Sequence, residues 1–350
     1  MKRTYKITAA VLLALAVLAA AVCLDLYRTF YKENIVHQEE GVAYVNIYKS
    51  YEYDDVLQAI TDSGMLLDSA TFVRAARYMK LAENFKPGHY TFREGMDNKQ
   101  IVRTISNGWQ TPVKVTFKGY IRHFDKFASI MSRQMEADSV TFMSALQDGD
   151  LVEKYGFEAE TFIGMFIPNT YEVYWTDTPE EFIERMHKEY LAFWNEERLA
   201  KAKAVGLSQK EVSTLASIVI SETNYVPEMP DIAGVYMNRL HKGMLLQADP
   251  TVVFAVGEPG LRRVLSKHLK YDSPYNTYKY KGLPPGPITM PPISAIDAVL
   301  NYSRHNFLYF CAKPTFDGQH AFSANLAGHL YNARAYHKAF NAREKSKAAS

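Results

Sequence analysis

An apolar run extends from Ile7 to Leu24, with Thr8 its most polar member. A run of that length is just sufficient to cross the hydrocarbon layer of a bilayer as a helix. The cations Lys2, Arg3 and Lys6 precede it. By the positive-inside rule they hold the N-terminus (residues 1–6) in the cytoplasm and place the rest of the chain outside. The segment therefore reads as a single-pass anchor over 7–24. The alternative is a cleaved signal peptide, for which Ala19-Ala20-Ala21 offers a small-residue site. Lipidation at Cys23 is disfavoured because Val22 before it is large.

Beyond a charged juxtamembrane linker over 25–41, the pattern becomes that of a folded α+β chain. Val42 to Tyr48 reads as a strand. Val56, Leu57 and Ile60 fall at helical spacing within Asp54 to Ser63, and Gly64 ends that helix. A second helix is predicted over Ser69 to Leu81 and a short strand at His89 to Phe92. A short helix follows at Gln100 to Ile105. Together these make a compact α+β unit over 42–110.

A strand at Val113 to Phe117 opens the second region, 111–342. Helices are predicted at Phe124 to Met135, Ser139 to Gln147 and Pro179 to Val205. Met165 to Tyr171 reads as a strand or extended loop. The polar tail, 343–350, is expected to fray. No internal repeat or low-complexity tract is visible.

The most informative helix begins at Ser208-Gln209-Lys210-Glu211, a capping box. Val212, Leu215, Ala216 and Val219 form one apolar stripe, and continuing that stripe lands on Glu222. Its carboxyl is thus expected on the buried face, near the C-terminal end. Desolvation and the negative end of the helix dipole both disfavour the charged form there. Both raise the pKa, as a general acid working near neutral pH requires. The structural alternative is that Glu222 pairs with a cation such as Arg239 and braces the fold. Glu196, Glu197 and Glu228 have no such placement and read as solvated.

A dense run of unusual residues follows. Asn238-Arg239-Leu240 lies in a helix ending at Gly243. In Gln247-Ala248-Asp249-Pro250-Thr251, Asp249 reads as an N-cap with proline at the first helical position. Asn276, Thr277 and Tyr278 offer the amide, hydroxyl and ring groups that polar sugars need, or else a satisfied loop turn. The proline-rich stretch Gly282 to Ile288 is expected to be stiff enough to form a groove wall.

Composition narrows the options. The chain has 350 residues, 47% hydrophobic and 22% charged, an ordinary globular balance. A formal net charge of +2 gives no electrostatic case for nucleic-acid binding. The 24 tyrosines suit stacking on sugar faces as well as a core. With Cys23 in the apolar segment, Cys311 has no partner for an internal disulfide, so cysteine usage does not decide the compartment. The sequence carries no HExxH, P-loop or GxSxG motif and no cysteine-based zinc pattern, and no metal or cofactor is expected. His320 and His329 read as surface or core histidines.

Several of these stretches, taken in order, closely resemble the endolytic murein transglycosylase (YceG-like) family. They are Leu215 to Val219 through Glu222-Thr223, Gly234 to Leu240, Gln247 to Val252, and Tyr275-Asn276-Thr277-Tyr278 to Gly282 to Ile288. Phe166 to Tyr171, and Asn325-Leu326-Ala327 with His329, match the outer motifs. The resemblance covers roughly 42–340. It implies an N-terminal membrane helix, a LysM-like domain (42–110), and a mixed α/β catalytic domain (111–342) with a lysozyme-like active-site glutamate. That glutamate maps to Glu222. Many relatives carry a second Glu two residues earlier, where this chain has Ile220.

By the same resemblance, the candidate substrate-binding residues are Asn238, Gln247, Asp249, Tyr275, Asn276, Thr277, Tyr278 and Asn325. The implied substrate is the peptidoglycan glycan strand, with peptidoglycan synthases as partners and termination of glycan elongation as the role. A hydrolase uses two carboxylates flanking the bond. A lytic transglycosylase needs one acid/base, because the sugar's own C6 hydroxyl closes a 1,6-anhydro ring on the muramic acid. Asn and Tyr groups would orient the N-acetyl groups and polarise the transition state. A non-catalytic glycan-binding scaffold for synthases and a hydrolytic muramidase are the competing readings.

The charge asymmetry around residues 7–24 makes the topology testable. A reporter fused after Ser350 is expected to be active only outside the cytoplasm. Cytoplasmic activity of that fusion would contradict the orientation.

Overall fold

The computed structural model describes residues 2–36, 41–258, 260–261 and 264–349, with side chains described for 5–345 of these. The side chains of Lys2 and Arg3, residues 37–40 of the expected linker, and the side chains from 346 onward lie outside the described residues.

The apolar run lies in α1 (Lys2–Phe30), a helix long and apolar enough to cross a membrane by length and composition, with none of that segment buried in the protein. The helix does not stop where the run stops. Asp25 pairs with Arg74 at 3.1 Å, and Thr29 is buried. Beyond it Glu33 and Ile35 form isolated bridges with Asp97 and Leu66. Residues 25–36, expected as linker, are thus largely built into the first of two compact units.

That first unit comprises Met1–Val115, Arg133–Ala137 and Tyr171–Thr178. It contains β1 (Val42–Ile47), α2 (Tyr53–Asp62), α3 (Ser69–Tyr78), α4 (Leu81–Asn84), β2 (Gly88–Arg93) and α5 (Asn98–Asn107). β1 and β2 are antiparallel, with Val42 opposite Arg93 and Ile47 opposite Gly88. Strand alternation turns Val45, Ile47, Tyr90 and Phe92 onto Val56, Ile60, Phe72 and Ile101. The single helix predicted over Ser69 to Leu81 is broken. Lys80 adopts a left-handed conformation (φ 57°), and the redirected chain buries Leu81 completely.

A buried polar knot fastens these elements. Asn98 Nδ2 donates to Thr29 O (2.9 Å) and Thr71 Oγ1 (3.2 Å), and its Oδ1 accepts from Asn34 Nδ2 (2.7 Å). Asn34 Oδ1 accepts from Asp68 N (2.6 Å), and Asp68 in turn caps α3 through Thr71 N. Such networks rigidify a core only when every member is satisfied.

The second unit comprises Thr116–Ser132, Asp138–Thr170 and Pro179–Ser350. Along the chain β3 (Val113–Phe117) precedes α6 (Phe124–Met131), α7 (Ser139–Leu146) and α8 (Gly149–Lys154). Next come a 3₁₀ turn at Phe162–Met165, β4 (Asn169–Val173), α9 (Pro179–Phe193) and α10 (Glu196–Val205). α11 (Gln209–Glu222), a 3₁₀ turn at Val226–Glu228, α12 (Met229–His241) and α13 (Asp249–Val256) carry the middle. A 3₁₀ turn at His268–Lys270 precedes α14 (Ile293–Leu300). β5 (Tyr309–Ala312), β6 (His320–Ser323) and α15 (Leu326–Ala349) close the order. β3 pairs with β4, and β5 with β6 as an antiparallel hairpin.

Three sequence expectations change. The helix predicted to reach Met135 stops at Met131. The one predicted over Pro179 to Val205 divides because Asn195 Oδ1 accepts from Arg198 N (3.0 Å), capping a new helix in place of continuing the old one. The tail expected to fray continues as helix to Ala349. α11 is the core element of this unit. Every residue from Val212 to Ile220 is buried, and the helix packs against α12, α13 and α14.

Replacing Asn98 by alanine leaves the Thr29 carbonyl and its neighbours without their buried partner. The expected loss is about 1–3 kcal/mol, the usual cost of an orphaned buried polar group. Urea unfolding measures it, and an unchanged midpoint would mean that the knot contributes nothing.

Candidate active site

The site is assembled at the C-terminal end of α11. At its start Ser208 Oγ accepts from Glu211 N (3.3 Å) and Glu211 Oε2 accepts from Ser208 N (2.7 Å), the reciprocal cap read from the sequence. The stripe Val212, Leu215, Ala216, Val219 is fully buried. Glu222 is the last helical residue. It is enclosed on most sides, with part of its carboxyl facing a cavity.

Tyr236 of α12 donates its hydroxyl to Glu222 Oε1 at 2.6 Å. Burial pushes the Glu222 pKa up to about 7. The Tyr236 hydrogen bond and the Arg239 charge oppose that rise, and the Asp249 carboxylate adds to it. The Tyr236 hydroxyl is itself pushed well above its ordinary range, first by burial and then by Glu222, so it stays a donor.

Arg239 does not brace Glu222 directly. Its Nε donates to Leu308 O (2.7 Å) and its NH1 to Leu246 O (2.9 Å), Leu245 O (3.2 Å) and Gln247 Oε1 (3.2 Å). Its charge acts on the carboxyl through space.

Asp249 is not the N-cap of α13. Ala248 occupies that position and supplies no side-chain cap. The preceding Gln247 sits at φ 52°, a left-handed conformation that non-glycine residues adopt at a cost, with its N–H bonded to Thr277 O (3.1 Å). Asp249 Oδ1 accepts from the Tyr278 hydroxyl at 2.6 Å.

The other candidate residues divide between cavity and scaffold. Gln247, Asp249 and Tyr278 line a cavity of about 410 Å³ together with Glu222 and Tyr236. Asn276 and Thr277 are buried inside their loop. Asn276 Nδ2 donates to Leu269 O (3.0 Å) and Tyr271 O (2.7 Å), and Thr277 Oγ1 accepts from Ala248 N (3.0 Å). Tyr275 packs on Phe254 at 4.8 Å, its pKa raised to about 12 by burial. Asn238 Nδ2 donates to His305 O (2.8 Å) and Phe307 O (2.9 Å), tying α12 to the chain that enters β5. Asn325 Oδ1 accepts from Gly328 N (2.9 Å) at the start of α15.

Two further expectations are corrected. The proline-rich loop packs largely into the core and lines none of the cavities described at Glu222. Pro284 and Gly286 to Ile288 are buried, and Ile288 N donates to Ser217 Oγ of α11 at 3.0 Å. A side chain at Gly286 would lie 2.0 Å from the Glu160 carbonyl, so only glycine fits. Glu228, expected to be solvated, is only 6% exposed. Its carboxylate accepts from His320 N (2.8 Å) and pairs with His320 Nδ1 (2.7 Å).

Residues given no binding role by the sequence pattern, including the two histidines expected only as surface or core residues, complete the cavity. Tyr309, Phe310 and Cys311 of β5, His320 of β6 and His329 of α15 all line it. Burial lowers the His329 pKa, and its ring stacks on Tyr309 at 5.4 Å. Two short apolar runs flanking Asp317-Gly318 were the available hairpin signal. Two further cavities are also lined by Glu222. A cavity of about 250 Å³ is lined by Tyr120, Arg122 and Asn224, and one of about 530 Å³ by Arg122, Asp249 and Val253. The carboxyl is therefore reached from two different sets of walls.

The YceG-like family model matches residues 45–335. The chain belongs to the YceG-like family. This YceG-like chain is 27% identical over 322 residues to the endolytic murein transglycosylase of Bacillus subtilis strain 168, covering 87% of each. It is 26% identical over 324 residues to that of Streptococcus pneumoniae strain D39, covering 82% of this chain and 57% of that longer relative. A YceG-like protein of Listeria monocytogenes of known crystal structure superposes with a TM-score of 0.56 at 27% identity. The alignment covers 84% of this YceG-like chain and 99% of that one.

The raised Glu222 pKa has a signed consequence for stability. Between pH 4.5 and about 7 the folded chain keeps a proton that the unfolded chain has lost, so stability falls as pH rises through that window. Glu222→Gln removes this titration. The variant is expected to gain stability over the native protein progressively across the window, and then to hold the gain. The size is on the order of 2 kcal/mol, less than the full equivalent of the shift because cavity water screens the carboxyl. Melting curves from pH 4 to 8 measure it, and a difference independent of pH would contradict the raised pKa.

Proposed function

We propose that the protein is an endolytic lytic transglycosylase that cleaves the MurNAc–GlcNAc bond of peptidoglycan and leaves 1,6-anhydro-MurNAc ends. The observation that carries this reading is the Glu222 carboxyl, poised near pH 7 where cavities meet. The names of the Bacillus and Streptococcus relatives support it. An internal bond of a long strand needs room on both sides of the reacting group, and walls on two sides of Glu222 suit that need.

In the proposed reaction, protonated Glu222 gives its proton to the glycosidic oxygen as the bond breaks. The Tyr236 hydroxyl, 2.6 Å from Oε1, then stabilises the carboxylate that forms. The negative charge of Asp249 favours the oxocarbenium-like state and keeps Glu222 protonated beforehand. Glu222 next takes the proton of the C6 hydroxyl, whose oxygen closes the anhydro ring. Gln247, Asp249 and Tyr278 are assigned to touch the sugars. Asn238, Tyr275, Asn276, Thr277 and Asn325 are assigned to hold the walls that present them. α1 acts as the membrane anchor with both units outside, and the 42–110 region serves as a LysM-like glycan-binding unit beside the synthases.

Asp249 also favours a second reading. Two carboxylates at one site are the equipment of a hydrolytic muramidase. Product masses separate the two, since anhydro ends are lighter than reducing ends by one water.

Glu222→Gln keeps the size and the acceptor for Tyr236 but cannot shuttle a proton. Loss of a general acid/base costs about 10²–10⁴-fold, and the cost here is expected at or above the upper end because one group serves both steps. Exposed Glu196→Gln is the control, since Glu228 holds His320. Digestion of isolated sacculi, read by mass spectrometry, is the assay. Near-normal release of anhydro-muropeptides by folded Glu222→Gln protein would overturn the assignment.

A further inference from the structure

Among the described residues, Arg122 is a cation at the cavities around Glu222 that the reaction leaves unused. Arg122 lines both the 250 Å³ and the 530 Å³ cavities, each of which also contains Glu222. Its side chain is exposed, and among the described residues its guanidinium has no protein partner. Arg239, not Arg122, is the cation that acts on Glu222. Asp249, which shares the larger cavity, already accepts from Tyr278.

The segment that presents Arg122 is held in place. Tyr120 N donates to Met290 O (3.3 Å) and Met290 N to Ile121 O (2.8 Å), with Ile121 buried. The Tyr120 hydroxyl donates to Asn224 Oδ1 just beyond α11. On the other side, the His123 ring stacks on Phe254 of α13 at 5.5 Å. An arginine whose segment is held in place, with its side chain exposed and lining the cavities that Glu222 also lines, is suited to bidentate recognition of a carboxylate. The N-acetylated sugar backbone carries no charge. The carboxylates of peptidoglycan hang from the lactyl group of muramic acid, either on the acidic stem peptide or, in strands stripped of it, on the lactyl group itself.

We propose that Arg122 is a specificity residue that binds a carboxylate carried on the lactyl side of the muramic acid at the cleaved bond. The inference rests on the reading that Glu222 cleaves glycan. It predicts that the enzyme distinguishes strands by the charge of their substituents as well as by their sugars.

The test compares the full-length native protein with Arg122→Ala and Arg122→Lys on three substrates. These are strands with free-acid stems, strands with amidated stems, and strands denuded by an amidase. A charge-assisted pair of this kind gives roughly a 10–100-fold effect. Arg122→Ala is expected to lower kcat/KM by that factor, mainly through KM, on the substrate whose carboxylate is read, with partial recovery in Arg122→Lys. A loss confined to free-acid stems identifies the stem as the source. A loss confined to denuded strands identifies the lactyl carboxylate. Equal loss on all three substrates, or none, overturns the proposal while native cleavage still stands. Absence of cleavage by the native protein on every substrate overturns the glycan-cleaving reading and this inference with it. Arg122 is exposed, so the variants are expected to fold, and a melting curve on each sample confirms that a loss is not unfolding.

Discussion

The hydrogen bond from Tyr236 to Glu222 is the interaction around which the second unit is arranged. A carboxyl at the end of a buried helix is costly to ionise, and an unrelieved one would stay neutral well above physiological pH. One donor fixed by α12 lowers that cost without removing it. The result is a group able both to release and to accept a proton near neutrality. For this to hold, α11 and α12 must keep their mutual register, and the buried faces of both helices supply that constraint. The Asp249 carboxylate sets the balance from the opposite side.

The walls of the cavity are held mostly by side chains bonding to backbone carbonyls. Asn238 and Arg239, adjacent on α12, fasten the chain from His305 to Leu308 as it enters the hairpin. Glu228 fastens β6 through His320. Asn276 and Thr277 fasten the loop that carries Tyr278. The chain from His305 to Leu308 and the loop around Asn276 are irregular segments with no ladder of their own, which is why so many polar residues are buried here.

This explains how far the sequence could be read. The helix ending in Glu222 was legible because a reciprocal cap and a strict apolar stripe fix both its start and its facing. The β1–β2 pair and the helices around it were legible for the same reason of periodicity. Asn276 and Thr277 were not separable from sugar-binding groups, because an amide bonded to its own loop and an amide bonded to a ligand have the same sequence signature. Glu228 looked solvated because its partner, His320, lies far along the chain. Breaks such as Lys80 and Asn195 depend on one residue's backbone or cap and leave the apolar period on either side intact.

The buried Asn98 bond to the Thr29 carbonyl bears on mechanics as well as on stability. α1 runs unbroken from the apolar run to Phe30, and its last turn is locked to α3 and α5 through Asn98, Thr71 and Asn34. No swivel separates the apolar segment from the first unit. The two form a single lever, so a tilt of the apolar helix rotates the unit with it, and the height of the unit above the end of that segment is set by the rise of a few helical residues, about 1.5 Å each.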